Sequence, residues 1–174
     1  MEPPVLSTPR LILRPHAVSD FDDLHRLWSH PVVSQAIGLP TPRPDETWSR
    51  LLRYAGGWRL LGFGMFAVTD RASGAFIGDM GLFEARRPLT PGFGGAPEAG
   101  WALLPEHHGK GLASEALSAV LAWADARGVE RTACMITPDN PASLRTAARA
   151  GYVEYARTTF HEAEVALLER RRPG

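Results

Sequence analysis

His108-Gly109-Lys110-Gly111-Leu112-Ala113-Ser114-Glu115 joins an extended segment that ends at Pro105 to a long amphipathic one. Its two glycines and the alanine let the backbone approach a ligand closely, and a helix beginning there presents unpaired N–H groups at the positive end of its dipole. Phosphate is the natural guest of such a cradle. The spacing predicts a helix from about Gly109 to Arg127 that buries Leu112, Ala116, Val120 and Trp123 and so holds the turn rigid.

Context decides what kind of turn this is. A Walker loop requires a glycine well upstream of Gly-Lys and a Ser or Thr directly after the lysine, but no glycine stands at that upstream place and Gly111 follows the lysine. No G-x-G-x-x-G occurs, and the preceding chain reads as antiparallel strands instead of an opening βαβ unit.

Working outward, residues 10 to 14 read as a strand ended by Pro15. Ser19 or Asp20 can then cap a helix through Leu24, Leu27 and Trp28, stopped at His30-Pro31. Gly38 to Pro44 is a proline-rich connector, and Trp48, Leu51 and Leu52 suggest a second helix weakened by Gly56-Gly57. Phe63 to Thr69 and Ala75 to Phe83 form a hairpin around Asp70-Arg71-Ala72-Ser73-Gly74, and a Pro/Gly segment leads to a strand at Glu98 to Leu104. A strand from Arg131 to Thr137, a short helix from Pro141 to Ala150 and two final strands complete an α+β chain with a mixed sheet. No repeat appears.

Bulk properties narrow the classes further. A chain of 174 residues, 44% hydrophobic, can bury one core, so residues 1–174 read as a single domain. Nineteen basic and nineteen acidic side chains cancel, which removes the overall field that would favour DNA or an anionic membrane. Lys110 is the only lysine, and Cys134 the only cysteine, which fits a reducing cytoplasm. Met1-Glu2-Pro3-Pro4 does not read as an export signal, and no apolar run is long enough to span a bilayer. His107, His108, Cys134 and His161 lack the paired spacing of zinc ligands, so no metal is expected; a nucleophile elbow is likewise missing.

Thr8-Pro9-Arg10-Leu11-Ile12-Leu13-Arg14-Pro15, Phe76-Ile77-Gly78-Asp79-Met80-Gly81-Leu82 and Glu98-Ala99-Gly100-Trp101-Ala102-Leu103-Leu104-Pro105-Glu106 precede or flank the glycine-rich turn. Glu115-Ala116-Leu117, Asn140-Pro141-Ala142-Ser143 and Ala150-Gly151-Tyr152 follow it. In that order and spacing they resemble the GNAT superfamily of acetyl-CoA-dependent N-acetyltransferases, and within it the ribosomal-protein N-terminal acetyltransferase branch. The resemblance implies a GNAT-like fold, with a mixed sheet of about six to seven strands and about four helices around it.

It also implies a site. The strand before the turn splays from its neighbour, and the backbone of Leu103 and Leu104 pairs with the pantetheine arm of acetyl-CoA. The N–H groups of His108, Gly109, Lys110, Gly111, Leu112, Ala113 and Ser114 receive the pyrophosphate. Lys110 either lends charge to a phosphate or is a solvated lysine, and His108 stands where the family commonly has Gln or Arg. Asn140 and Ser143 reach the amide or thiol region, although Asn140, Pro141 and Gly151 also read simply as helix caps.

Acetyl transfer to an amine requires a neutral nucleophile, a polarised carbonyl and a proton for the departing thiolate. Glu98 is the candidate base, directly or through water, or else a structural carboxylate at a strand start. A backbone N–H near Leu103 suits the oxyanion. Many relatives place a general-acid tyrosine where Ala147 stands here. Ser143 is the substitute, or the thiolate leaves without a dedicated acid. Tyr152 belongs to the core.

The expected partners are acetyl-CoA and an amine, either a protein N-terminus or a small amine, without nucleic acid or membrane, in a chain that can form a homodimer by family habit. Segments 30–47 and 84–97 decide the acceptor, and Glu84, Glu98, Arg86 and Arg87 can each select its charge. The competing readings are a non-catalytic acyl-CoA sensor and a protein-interaction module.

Overall fold

The computed structural model describes residues 2–38 and 40–174. Eight strands form one sheet: β1 (Leu6–Ser7), β2 (Leu11–Pro15), β3 (Met65–Asp70), β4 (Phe76–Phe83), β5 (Glu98–Leu103), β6 (Arg131–Ile136), β7 (Val153–Phe160) and β8 (Ala163–Arg171). They lie in the order β1-β2-β3-β4-β5-β6-β8-β7, and every neighbouring pair is antiparallel except β5 with β6. The helices are α1 (Phe21–Ser29), α2 (Pro31–Ala36), α3 (Pro44–Leu61), α4 (Leu112–Ala126) and α5 (Pro141–Arg149).

The extra elements relative to the sequence reading are β1 and α2. β1 is a two-residue strand and carries no periodicity. His30 does end α1, but Pro31 opens α2 in the next residue, because proline at the first helical position loses only an N–H that would be unpaired anyway. α3 runs through Gly56 and Gly57 to stop at Gly62 (φ 76°). The roughly 1 kcal/mol that each glycine costs a helix is outweighed by the burial of Leu51, Tyr54 and Trp58. Asp20 does not cap α1. Its carboxylate instead grips Arg14 through two 2.7 Å bonds and accepts from the Ala17 N–H.

The sheet separates two apolar layers. α4 covers one face with Leu112, Ala116, Leu117, Val120, Leu121 and Ala124, against β2, β4 and β5. Trp123, expected to be buried, is only half-buried and packs edge-on against Trp58 and Phe66. α1 and α3 cover the other face through Leu24, Leu27, Leu51 and Tyr54. Between them β4 is buried along nearly its whole length. Its glycines allow close packing there: a Cβ on Gly78 would collide with the Ala102 carbonyl, and one on Gly81 with that of Gly64. Among the described residues no helix is long and apolar enough to cross a membrane.

Candidate active site

β5 and β6 pair only at Glu98 and Ala133, where the Ala133 N–H donates to the Pro97 carbonyl at 3.0 Å. That bond sets the alternation of β5: odd-numbered residues aim their backbone groups at β6 and even-numbered ones at β4. The Leu104 N–H accordingly donates to the Ile77 carbonyl at 2.8 Å. Past the single bridge the strands no longer pair, so the backbone of Trp101 and the Leu103 N–H open onto a gap. The Leu103 carbonyl is already engaged by His108 Nε2 at 2.8 Å, and since a carbonyl only accepts, that ring nitrogen carries the proton.

Beside the gap lies the glycine-rich turn. Gly109 (φ 72°) and Gly111 (φ 76°) are left-handed, a conformation that side-chain-bearing residues adopt at a cost. Among the described residues, no N–H from Gly109 through Ser114 has an acceptor in the chain; the first bond of α4 is Glu115 N–H to Gly111 O at 3.1 Å. The backbone donors of the turn are therefore free together, at a helix N-terminus. The Lys110 side chain is exposed.

The turn is clamped from behind by the start of the chain. Arg10 Nη1 donates to the Lys110 carbonyl at 2.9 Å, and Arg10 Nε to Glu115 Oε2 at 2.6 Å. Glu115 Oε1 also accepts from the Thr8 hydroxyl and the Arg10 N–H. Partial desolvation pushes the Glu115 carboxyl up, but these donors together hold it below its ordinary value. The early Thr-Pro-Arg motif and Glu115 thus act on the same turn across the sheet.

The gap between β5 and β6 leads into a cavity of about 320 Å³. On one side of it, Asn140 begins α5: its Oδ1 accepts from the Ser143 N–H at 3.0 Å, while its Nδ2 donates to the Ala36 carbonyl at 2.9 Å. Asn140 therefore locks α5 to the end of α2. Ser143 lines the cavity one turn on, and its hydroxyl has no partner among the described residues. Ala147 is fully buried and brings no polar group.

Glu98 stands on the opposite wall, 5% exposed, with its carboxylate held by the Arg87 guanidinium at 3.0 Å. Burial pushes its pKa up and Arg87 pulls it back only in part. Below it on β4 lies a second acid, Asp79, fully buried. Desolvation raises the Asp79 carboxyl to about 6, against the stabilising charge of Arg50 and bonds from Tyr54 OH (2.8 Å) and Trp28 Nε1 (3.1 Å). Its Oδ1 has no hydrogen-bond partner. Cys134 also reaches the cavity, and burial raises its thiol far above the usual value.

A family model described as an acetyltransferase (GNAT) domain matches residues 10–153. The chain belongs to the GNAT acetyltransferase family. A structure from Bordetella pertussis assigned as a GnaT-family acetyltransferase is 35% identical and superposes with a TM-score of 0.84, covering 96% of this chain and 99% of that one. An uncharacterized N-acetyltransferase of Bacillus subtilis, YoaA, is 27% identical over 157 residues, 86% of this chain and 82% of its own. The fold is also that of a ribosomal L7/L12 alpha-N-protein acetyltransferase in complex with coenzyme A, at 18% identity and a TM-score of 0.74, over 97% of this chain and 98% of that one. The GNAT match runs through the turn, the β5–β6 gap and α5.

Within this GNAT fold the residues singled out from the sequence fall in two places. Glu98, Asn140 and Ser143 line the cavity, whereas Leu103 and the 108–114 turn that follows it are not part of that lining. Leu104 does not join them, because its N–H turns to β4 and its side chain enters the core under α1 and α3. Trp101 takes its place by alternation. Trp28, Arg50, Tyr54 and Asp79 were missed. Asp79 did leave a signal, an acid within the otherwise apolar Phe76 to Phe83 strand, where a lone carboxylate must find donors or stay protonated.

Proposed function

We propose that the protein transfers an acetyl group from acetyl-CoA to a primary amine, directly within a ternary complex and without an acyl-enzyme. The observation that carries this reading is the unbroken run of unpaired N–H groups from Gly109 to Ser114, placed where a parallel strand pair separates. The turn and α4 would hold the pyrophosphate, Trp101 and Leu103 the pantetheine amides, and Asn140 with Ser143 the end nearest the sulfur. When bound, acetyl-CoA supplies an activated acyl carbon.

The chain's own groups divide the remaining work. Glu98 takes the proton of the amine, directly or through water; its burial favours proton uptake, and Arg87 opposes that upward shift in part. A backbone N–H on the cleft side of β5, Trp101 or Leu103, is placed to stabilise developing negative charge on oxygen. Ser143 is the hydroxyl that can return a proton to sulfur, since Ala147 offers none.

Calorimetric titration of acetyl-CoA into the purified protein, beside a Gly111→Asp variant, tests this reading. Binding that is lost in a still-folded variant, followed by amine-dependent release of CoA, is the expected result. Binding without release to any amine would favour the acyl-CoA sensor, and no binding at all would favour an interaction module.

A further inference from the structure

Three guanidinium groups converge on the acceptor side of the cavity: Arg50 and Arg53, one turn apart on α3, and Arg87 from the segment before β5. Arg87 is paired with Glu98. Arg50 Cζ lies over the Trp28 ring, 3.9 Å from its centroid, and its single hydrogen bond among the described residues is a long one of 3.4 Å to Tyr54 OH. Arg53 has neither an ion pair nor a hydrogen bond among the described residues, although its neighbour along the helix and Arg87 both face it. Packing, with the like charges of Arg50 and Arg87, lowers its pKa even though its outer side meets solvent.

Among the described residues the nearby acids make one ion pair with this set; Glu84 pairs with Arg86, and the charge of Asp79 reaches Arg50 and Arg53 without an ion pair to either. Glu98 is committed to Arg87, and Asp79 lies beneath the cavity floor behind Tyr54 and Trp28, beyond ion-pair distance of either helix arginine. A cleft lined by like charges focuses a field that draws a ligand of opposite sign, and donors that the chain leaves unused are open to it. Guanidinium forks match carboxylates in particular, two parallel N–H groups to two oxygens. Resting on the acetyltransferase reading above, we infer that the acceptor is an anionic amine, carrying a carboxylate close to the nitrogen that is acetylated, and that Arg53 with the free edge of Arg50 holds that carboxylate while the amine turns toward Glu98.

The shared chemistry has two sources, a free amino acid or the acidic first residues of a peptide, and matched pairs separate them. L-alanine is compared with L-alaninamide, L-aspartate with L-asparaginamide, and an N-terminal Ala-Asp-Asp peptide with its Ala-Asn-Asn counterpart. Two readings are taken for each compound: CoA release with acetyl-CoA present, corrected for the fraction of neutral amine, and calorimetric binding to the protein with and without CoA. The anionic member of at least one pair should win by about tenfold or more in KM or Kd, in the range expected of a charge-assisted fork. Arg53→Gln should cut that preference to about threefold or less, and Arg53→Glu should reverse it.

Preference in the amino acid pairs alone identifies a small acceptor, and preference in the peptide pair alone a protein N-terminus. Equal or better performance by the neutral members in both readings overturns the inference, as does a preference untouched by Arg53→Glu. If acetyl-CoA fails to bind, the acetyltransferase reading falls by itself, and the binding arm without CoA still decides whether the cavity selects anions.

Discussion

The glycine-rich turn and the α1–α3 side of the cavity are held in place by different means. The turn is made of backbone: left-handed glycines, a helix start and a clamp of Thr8, Arg10 and Glu115 behind it. The facing wall is made of side chains, two acids raised by burial and three arginines that do not find enough partners. Backbone donors are the same in any sequence that adopts the turn, so that half can serve one unchanging ligand. Side chains can be exchanged one at a time, so on the proposed reading the other half is where an acceptor would be chosen.

The most severe break in this contrast is Gly111→Asp. It forces a side chain into a left-handed position and adds a negative charge among the donors proposed to receive phosphate. Affinity for acetyl-CoA should fall by about 100-fold or more by calorimetry, with the folded circular dichroism spectrum retained. Retained binding would mean that the turn is not the cradle.

Glu98→Gln tests the opposite wall and should spare that binding. If Glu98 accepts the amine proton, kcat should drop by about 100-fold or more while the Kd for acetyl-CoA stays within about twofold. The sign of the pH effect follows from the same assignment: a base works when deprotonated, so wild-type activity rises with pH through the raised Glu98 pKa, and the variant loses that rise. Because Glu98→Gln also frees Arg87, the double variant with Arg87→Gln is the control. Recovery of activity in the double variant would assign Glu98 a merely structural part.

Legibility from sequence follows the same division. A turn that needs φ above zero must write glycine into the chain, and a helix that begins beside it must write a one-sided apolar pattern, so the turn and its helix can be read from residues 108 to 126 alone. Which backbone groups of β5 face the gap depends instead on pairing with Ile77 and Pro97–Ala133, partners distant in sequence. Leu104 could not be told from Trp101 without that register. The same is true of Arg50, Arg53 and Tyr54, which look like an ordinary helix surface until β4 and the 84–97 segment arrive beside them. Gly56-Gly57 misled for another reason: local propensity is worth about 1 kcal/mol per glycine, and tertiary burial exceeded it.

Asp79 sharpens the contrast through stability. Its carboxyl titrates near 6 in the folded protein, against an ordinary value of 3.8, so the folded state holds its proton more tightly than the unfolded chain. The contribution is full below the unfolded value and is lost as pH rises through about 6, which amounts to ~3 kcal/mol for a shift of this order. Unfolding by urea at a series of pH values should show wild type losing stability relative to Asp79→Asn between about pH 4 and 6, then running parallel above. A difference that does not change with pH would mean that the buried oxygen finds compensation from Arg50 or water.

Ser143 should give the smallest effect and the most discriminating one. Its hydroxyl is free, one turn into α5, and the only group of that helix able to protonate a leaving sulfur from the cavity wall; Asn140 is tied to α2 and to the Ser143 N–H. A thiolate is a good leaving group in water already, so the gain from a dedicated acid is limited, and Ser143→Ala should lower kcat by less than about tenfold, below the usual range for general acid catalysis. Loss confined to kcat, with a flattened alkaline limb in the pH profile, would make the serine the acid. A loss confined to the KM for acetyl-CoA would make it part of the cradle. On that outcome the backbone half of the cavity extends to α5, and the acceptor side reduces to the wall that carries Glu98 and the arginines.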